Sequence, residues 1–135
     1  MSTFPLKIVT PDGLCFDGEA EQLSVRTAAG QVGILAKHID FIAPLGMGQA
    51  TIYTEGKTRK AACIGGMLSV LNGEVTLVPT TFEWAEQIDA ERADASYERA
   101  QKVLHQKDSS AQDIRLAQAR LKRALIRKSV AQNSK

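Results

Sequence analysis

The sequence changes its hydrophobic period once, close to residue 80, and this change limits the folds that the chain can adopt. Before that point, apolar residues alternate with polar ones, and turns that contain glycine recur. After it, residues 80–135 contain neither glycine nor proline. Alternation is typical of half-buried strands, and a long segment without helix breakers favours helices. The pattern predicts a β domain over 1–86 and a helical domain over 87–135.

The β domain is predicted to consist of antiparallel hairpins. The clearest is LSVLNGEVTLV (68–78), in which apolar residues alternate on both sides of Asn72-Gly73, a dipeptide typical of type I′ turns. Two further hairpins are predicted over 50–62 and 21–35. Close turns and short strands in about 80 residues indicate an antiparallel β-sandwich or barrel.

Two helices are predicted, over 87–105 and 111–130. Ser110, followed three residues later by Asp113, indicates the start of the second helix. Thr80 with Glu83 allows an earlier start for the first. Both helices have narrow apolar faces in which alanine recurs: Ile88, Ala93, Tyr97, Ala100 and Leu104 in the first, and Ile114, Ala117, Leu121, Ala124 and Leu125 in the second. Alanine buries little area, so we expect an antiparallel hairpin that is held weakly enough to open.

Charged residues recur on the predicted helices at spacings that bring them together. Asp89, Arg92 and Arg99 are spaced by three and seven residues, which places them on one face of a helix. Arg123 and Arg127 lie one turn apart. If the two helices lie side by side, up to four guanidinium groups converge, an arrangement suited to phosphate oxygens. The alternative interpretation is an ordinary solvated face, in which Asp89–Arg92 is a surface pair worth about 0.3 kcal/mol.

Charge is unevenly distributed along the chain. Residues 111–135 carry seven basic groups and one acidic group, a net of +6, whereas residues 1–86 carry six and nine, a net of −3. We expect the basic helix to meet an anionic partner or to serve solubility. No aromatic residue follows Tyr97, which argues against nucleic-acid binding by the tail. No run of 18 apolar residues indicates a membrane span, and MSTFPLKIVT lacks a signal-peptide pattern, so a cytoplasmic location is expected.

Motifs for catalysis are missing from the sequence. It contains no GxxxxGK[ST], GxGxxG, GxSxG or HExxH. Cys15 and Cys63 are not part of a CxxC pair, which predicts reduced thiols and no metal site. His38 and His105 suggest no catalytic triad with serine or cysteine. We therefore expect a non-catalytic chain that requires no cofactor.

Five segments carry a family likeness. They are IVTPDG (8–13), GQVGIL (30–35), APLGMG (43–48), GGMLSVLNGEVTLV (65–78) and IDAERA (88–93). In this order and spacing the chain resembles the epsilon subunit of the bacterial F-type rotary ATP synthase over nearly its whole length. The resemblance implies an α+β fold, with an N-terminal antiparallel β-sandwich followed by a C-terminal two-helix antiparallel hairpin.

One loop departs from the family pattern. The family commonly has Pro-Asn-His-Ala-Pro where this chain has residues 36–40, AKHID. Two prolines are therefore missing, and we expect this loop to be more flexible than in other members.

The resemblance implies a regulatory and coupling role in proton-gradient-driven ATP synthesis. The sandwich would bind the gamma subunit and the membrane c-ring. The basic second helix would meet the alpha and beta subunits of the catalytic head, and the helices would restrain ATP hydrolysis. The chain would be a peripheral protein on the cytoplasmic side of the cell membrane, without direct lipid contact and without a nucleic-acid partner.

The resemblance also implies ATP as a regulatory ligand of the folded hairpin, through a motif Ile/Leu-Asp-x-x-Arg-Ala. The implied ATP-binding residues are Glu83, Ile88, Asp89, Arg92, Ala93, Arg99, Arg123 and Arg127. Two alternatives stay open at this point. One is a free-standing ATP sensor that uses the same helices, and the other, ranked last, is a nucleic-acid-binding module with a basic tail.

Overall fold

The computed structural model describes residues 2–133, which fold into ten strands followed by two helices. The strands are β1 Phe4–Thr10, β2 Gly13–Ala20, β3 Gln22–Thr27, β4 Gly30–Leu35, β5 Phe41–Pro44, β6 Met47–Thr54, β7 Lys57–Ile64, β8 Met67–Leu71, β9 Glu74–Val78 and β10 Thr81–Trp84. The helices are α1 Ala90–His105 and α2 Ala111–Asn133, and a 3₁₀ turn at Ala85–Gln87 precedes α1. The chain divides into two compact units, one ending at Trp84 and the other starting at Ala85.

The first unit is a sandwich of two five-stranded sheets. Their strand orders are β2-β1-β9-β8-β5 and β10-β7-β6-β3-β4. Alternate residues of both sheets point inward and form one apolar core, as the period of two predicts. Its largest fully buried side chains are Leu6, Ile8, Leu23, Val25, Ile34, Ile52, Leu68, Val70 and Leu77. The predicted β-sandwich is confirmed.

One strand pairing is parallel. β1 pairs with β9 in parallel, with Leu6 opposite Val75 and Ile8 opposite Leu77. The other pairings between the described strands are antiparallel. Hairpin signals predict only neighbours along the chain, so a pairing between the first and ninth strands has no local signature.

The three predicted hairpins are present. β8 and β9 flank Asn72-Gly73, whose φ angles are 52° and 81°, and β6 and β7 flank Glu55-Gly56, with φ angles of 52° and 73°. Positive φ at both central residues is what a type I′ turn requires. β3 and β4 form the third hairpin.

The helices begin at residues that cap them. The Asp89 carboxylate accepts a hydrogen bond from the Arg92 backbone N–H at 3.1 Å, so α1 begins at Ala90, later than the predicted residue 87. The earlier start at Thr80 is wrong, because Glu83 lies in β10 opposite Ala62. α2 begins where predicted, with the Ser110 hydroxyl accepting from the Asp113 N–H at 3.0 Å.

The two helices form an antiparallel hairpin, as predicted, and meet along a line of alanines. Ala93 and Ala100 of α1 are 3% and 2% exposed, and Ala117 and Ala124 of α2 are 3% and 1% exposed. These four residues, spaced by seven in each helix, are the alanine seam. Leu125, predicted to face the first helix, is instead 45% exposed, because it lies about 100° around α2 from Ala124.

Two glycines with positive φ differ in their surroundings. Gly66, at φ 98°, lies so close to the end of β9 that an added Cβ would overlap the carbonyl oxygen of Val78. Gly56, at φ 73°, has no atom within 4 Å of the same position. Gly66 therefore satisfies both a backbone and a packing requirement, whereas Gly56 satisfies only the first.

We predict that Gly66→Ala destabilises the sandwich more than Gly56→Ala. The first change should lower the free energy of unfolding by about 2–5 kcal/mol, from backbone strain and overlap together, and the second by about 1–2 kcal/mol. Urea unfolding followed by Trp84 fluorescence measures both, because this sole tryptophan is 6% exposed in the sandwich unit. Equal losses would show that the close approach to β9 costs nothing.

Candidate functional site

The arginines of α1 lie on one side of the alanine seam. Arg92 directly precedes Ala93, and Arg99 directly precedes Ala100. Each arginine is therefore about 100° around the helix from a seam residue, in the same direction. Both arginines are exposed. Seven residues separate them, which is about 10 Å along the helix axis.

The arginines of α2 lie on the same side. Arg123 directly precedes Ala124, Arg127 follows one turn later, and both are half-buried. When two right-handed helices pack antiparallel, the residue immediately before each seam alanine points to the same edge of the pair in both helices. We call Arg92, Arg99, Arg123 and Arg127 the arginine edge.

The heights of these arginines along the hairpin follow from one ion pair. Lys128 Nζ lies 3.0 Å from Asp94 Oδ1, so these two residues are roughly level. Arg99 is five residues beyond Asp94, and Arg123 is five residues before Lys128, which places Arg99 and Arg123 at about the same height. Arg127 is next to Lys128 and lies between the heights of Arg92 and Arg99. The predicted convergence of four guanidinium groups is therefore compatible with the folded hairpin.

The remaining residues of the Ile-Asp-x-x-Arg-Ala motif have structural roles. Asp89 is exposed and is the N-cap of α1, with an extended backbone, so it precedes the helix on which its spacing places it. Ala93 is part of the alanine seam. Ile88 is half-buried, and its N–H donates to the Ala85 carbonyl at 3.3 Å. Within the motif, Asp89 caps the start of α1, Ala93 is buried in the alanine seam, and Arg92 is left exposed.

Glu83 belongs to the other unit. It lies in β10, opposite Ala62 of β7, and is half-buried. The other seven implied site residues lie in the helical unit.

Polar groups suited to other chemistry do not gather elsewhere in residues 2–133. No group of three or more His, Cys, Asp or Glu side chains in this range could hold a metal ion. Cys15 and Cys63 are both free thiols, and burial raises the pKa of Cys63 to about 12, so its thiolate is scarce at neutral pH. Both histidines make local contacts: His38 Nδ1 lies 2.7 Å from the Ile39 carbonyl, and His105 Nδ1 lies 2.7 Å from the Gln101 carbonyl. None of the helices in this range is both long enough and apolar enough to cross a membrane.

A second candidate surface was missed by sequence reasoning. On the outer face of the first sheet, Ile42, Met67, Leu71 and Val78 are 68%, 44%, 54% and 47% exposed. Met67 lies opposite Val78 on one side and Pro44 on the other, and Ile42 lies opposite Ser69. We call these four residues the outer-sheet patch. Its signal was present in the sequence, because Met67, Leu71 and Val78 are apolar at positions where alternation calls for polar residues.

Comparison with known proteins accounts for both units. Residues 3–85 match the family model described as ATP synthase, Delta/Epsilon chain, beta-sandwich domain. Residues 86–132 match the model of the long alpha-helix domain of the same chain. The chain belongs to the ATP synthase delta/epsilon family. The resemblance inferred from the five sequence segments is confirmed.

Relatives in this family match over nearly the full chain. The ATP synthase epsilon chain of Bacillus velezensis is 44% identical over 133 residues, which are 98% of this chain and 100% of the relative. That of Caldicellulosiruptor bescii is 37% identical over 135 residues, covering 100% of this chain and 98% of the relative.

Solved structures share the fold of this delta/epsilon chain. A chain of the Euglena gracilis mitochondrial ATP synthase, from an OSCP/F1/c-ring assembly, matches with a TM-score of 0.84 at 20% identity, over 96% of this chain and 81% of that one. A chain from the central stalk/c-ring of the Tetrahymena thermophila mitochondrial ATP synthase matches with a TM-score of 0.65 at 13% identity, over 94% of this chain and 95% of that one.

The capping role of Asp89 can be separated from its charge. Asp89→Ala removes the acceptor for the Arg92 N–H and should destabilise the helical unit by about 0.5–2 kcal/mol. Asp89→Ser keeps a capping oxygen and should lose less than half as much. Thermal unfolding followed by far-UV circular dichroism measures both variants. Equal losses would indicate that the carboxylate acts through its charge and not through the cap.

Proposed function

We propose that this chain is a non-catalytic coupling and regulatory subunit of a rotary ATP synthase. The observation that carries the proposal is the near full-length match to epsilon chains, in which both units are matched. The sandwich joins the gamma subunit of the central shaft and the c-ring. The hairpin restrains ATP hydrolysis. The chain is thereby held at the cytoplasmic face of the membrane as a peripheral subunit.

The outer-sheet patch supports the attachment of the sandwich to the shaft. Ile42, Met67 and Val78 are exposed on three neighbouring strands there, and Leu71 is exposed four residues along β8 from Met67. Exposed apolar patches are typical of protein interfaces. The strands beneath them are fixed by the sandwich core, so the patch is rigid before binding. The structural neighbours also come from assemblies described as F1/c-ring and central stalk/c-ring.

We predict that charges placed in the patch prevent assembly with the shaft. Ile42→Asp and Met67→Glu should each weaken binding to the gamma subunit at least tenfold, because a carboxylate would be buried without a partner. Thr58→Glu, at an exposed position of β7 in the other sheet, is the control. Co-purification with gamma measures the effect, and Trp84 fluorescence checks that each variant is folded. Normal assembly of both patch variants would exclude this face as the shaft-binding surface.

The arginine edge supports nucleotide binding by the closed hairpin. Arg92, Arg99 and Arg123 carry like charge on the two helices, and their mutual repulsion when no anion is present favours opening. A triphosphate placed against the edge accepts charge-assisted hydrogen bonds from both helices. Because this arrangement exists only when the helices lie side by side, ATP would shift the population toward the closed hairpin. ATP is then a regulatory ligand, and no metal ion is required.

We predict that the arginine edge determines the affinity for ATP. Arg99→Ala and Arg123→Ala should each weaken ATP binding by about 1.5–3 kcal/mol, or about ten- to a hundredfold in Kd. AMP should bind more weakly than ATP, because it offers fewer phosphate oxygens. Isothermal titration calorimetry of the whole chain measures all of these.

The matched control is Arg115→Ala. Arg115 is an exposed arginine of α2, the helix that carries Arg123. It lies about 200° around the helix from Ala117 and therefore away from the arginine edge. Its replacement should leave the affinity unchanged. If millimolar ATP gives no heat with the unmodified chain, the nucleotide-sensing mechanism is wrong, whereas the assignment as a synthase subunit would stand.

The outward charge of α2 supports contact with the catalytic head. Arg115, Arg120 and Lys122 are exposed. An acidic surface on the alpha and beta subunits would attract this helix once the hairpin opens, and the attraction would weaken as ionic strength rises.

A further inference from the structure

Lys128 connects the two helices on the edge opposite the arginines. Its Nζ atom lies 3.0 Å from Asp94 Oδ1 and 4.4 Å from the centroid of the Tyr97 ring. Lys128 belongs to α2, and both of its partners belong to α1. One side chain therefore makes two favourable interactions across the hairpin.

The position of Asp94 and Tyr97 separates them from the arginine edge. Asp94 follows the seam residue Ala93 by one position, whereas Arg92 precedes it by one. Tyr97 follows Ala93 by four positions and lies on the same side as Asp94. One edge of the hairpin thus carries arginines from both helices, and the other brings together a cation, a carboxylate and an aromatic ring.

The surroundings of Lys128 make these contacts reversible. The side chain of Lys128 is 29% exposed and that of Asp94 is 58% exposed. Water therefore weakens the attraction between the two charges, although the ion pair still forms. The Tyr97 hydroxyl accepts a hydrogen bond from Gln101 Nε2 at 2.9 Å, which fixes the ring against the lysine. A pair of this kind shifts an equilibrium between two states but does not lock one of them.

We propose that Lys128, with Asp94 and Tyr97, is a latch that holds the hairpin closed when no nucleotide is bound. We call these three residues the Lys128 latch. Opening the hairpin breaks both contacts and exposes the Lys128 ammonium group. The charge of Lys128 is therefore available to an anionic partner only after opening, unlike the charges of Arg115 and Lys122, which are exposed in the closed form.

The latch rests on the proposed opening of the hairpin but not on ATP binding. It is tested in nucleotide-free protein, so its failure and a failure of ATP binding are distinguishable. The measured quantity is the ratio of open to closed hairpin.

Spin labels on the two helices report that ratio through electron–electron distances. The labels are attached at Glu91→Cys and Ser129→Cys, two exposed positions, in a chain that also carries Cys15→Ser. Cys63 needs no replacement, because it is 2% exposed and burial raises its pKa to about 12. Far-UV circular dichroism confirms that each variant keeps its helices.

We expect Lys128→Gln and Asp94→Asn each to raise the open-to-closed ratio roughly three- to tenfold. The double variant should open little more than Lys128→Gln alone, because both changes remove the same ion pair. The exchange Asp94→Lys with Lys128→Asp should recover part of the closed population, since it restores the pair but not the contact with Tyr97. Lys122→Gln, which removes a charge from an exposed position of the same helix, should change nothing.

Three results would overturn the latch. They are unchanged distances in both single variants, an additive double variant, or a shift with Lys122→Gln as large as that with Lys128→Gln. The last result would show that the net charge of α2, and not the contact with α1, sets the equilibrium.

Discussion

The alanine seam sets how firmly the helical unit is closed, and the behaviour of the hairpin depends on it. A buried Leu, Ile or Val side chain stabilises a fold by about 1.5–3 kcal/mol, whereas an alanine methyl group contributes about 0.8 kcal/mol. The sandwich core is built from the first kind of residue and the seam from the second. The described helices bury the four seam alanines and one larger side chain, Val130, so they gain less from burial than the sandwich core does. Interactions of about 1 kcal/mol at the edges can therefore decide whether the hairpin is open or closed.

In the proposed mechanism, the two edges of the hairpin act in opposite directions. The arginine edge favours opening until an anion neutralises it, and the Lys128 latch favours closure without any ligand. A ligand shifts such an equilibrium only by the difference between its affinities for the two states. In that mechanism the latch lowers the binding energy that ATP has to supply, and the arginine edge makes closure depend on ATP. Asp94 and Arg92 contribute to the two effects from positions on either side of Ala93.

Local signals predicted the features that depend on neighbouring residues, and they failed where distant residues meet. Asn72-Gly73 predicts its turn because positive φ is a property of those two residues, and Ser110 with Asp113 predicts a helix start for a similar reason. The parallel pairing of β1 with β9 depends on residues about 70 positions apart. Spacing alone does not distinguish an N-cap from a first turn, so the sequence predicts a helix from residue 87 whereas α1 begins at Ala90, after its N-cap Asp89. The contacts of Lys128 have no local signal either, since its partners Asp94 and Tyr97 lie on the other helix.

The proposed attachment and the proposed regulation use different physical interactions. The outer-sheet patch is apolar and lies on strands of the sandwich core, so the contact proposed for it would be insensitive to salt. The arginine edge and the Lys128 latch are charged and lie on a weakly closed hairpin, so contacts through them are reversible. A segment that has to move is necessarily one of low stability. Because the sandwich core ends at Trp84 and the alanine seam begins after Asp89, the seam can weaken without loss of the outer-sheet patch.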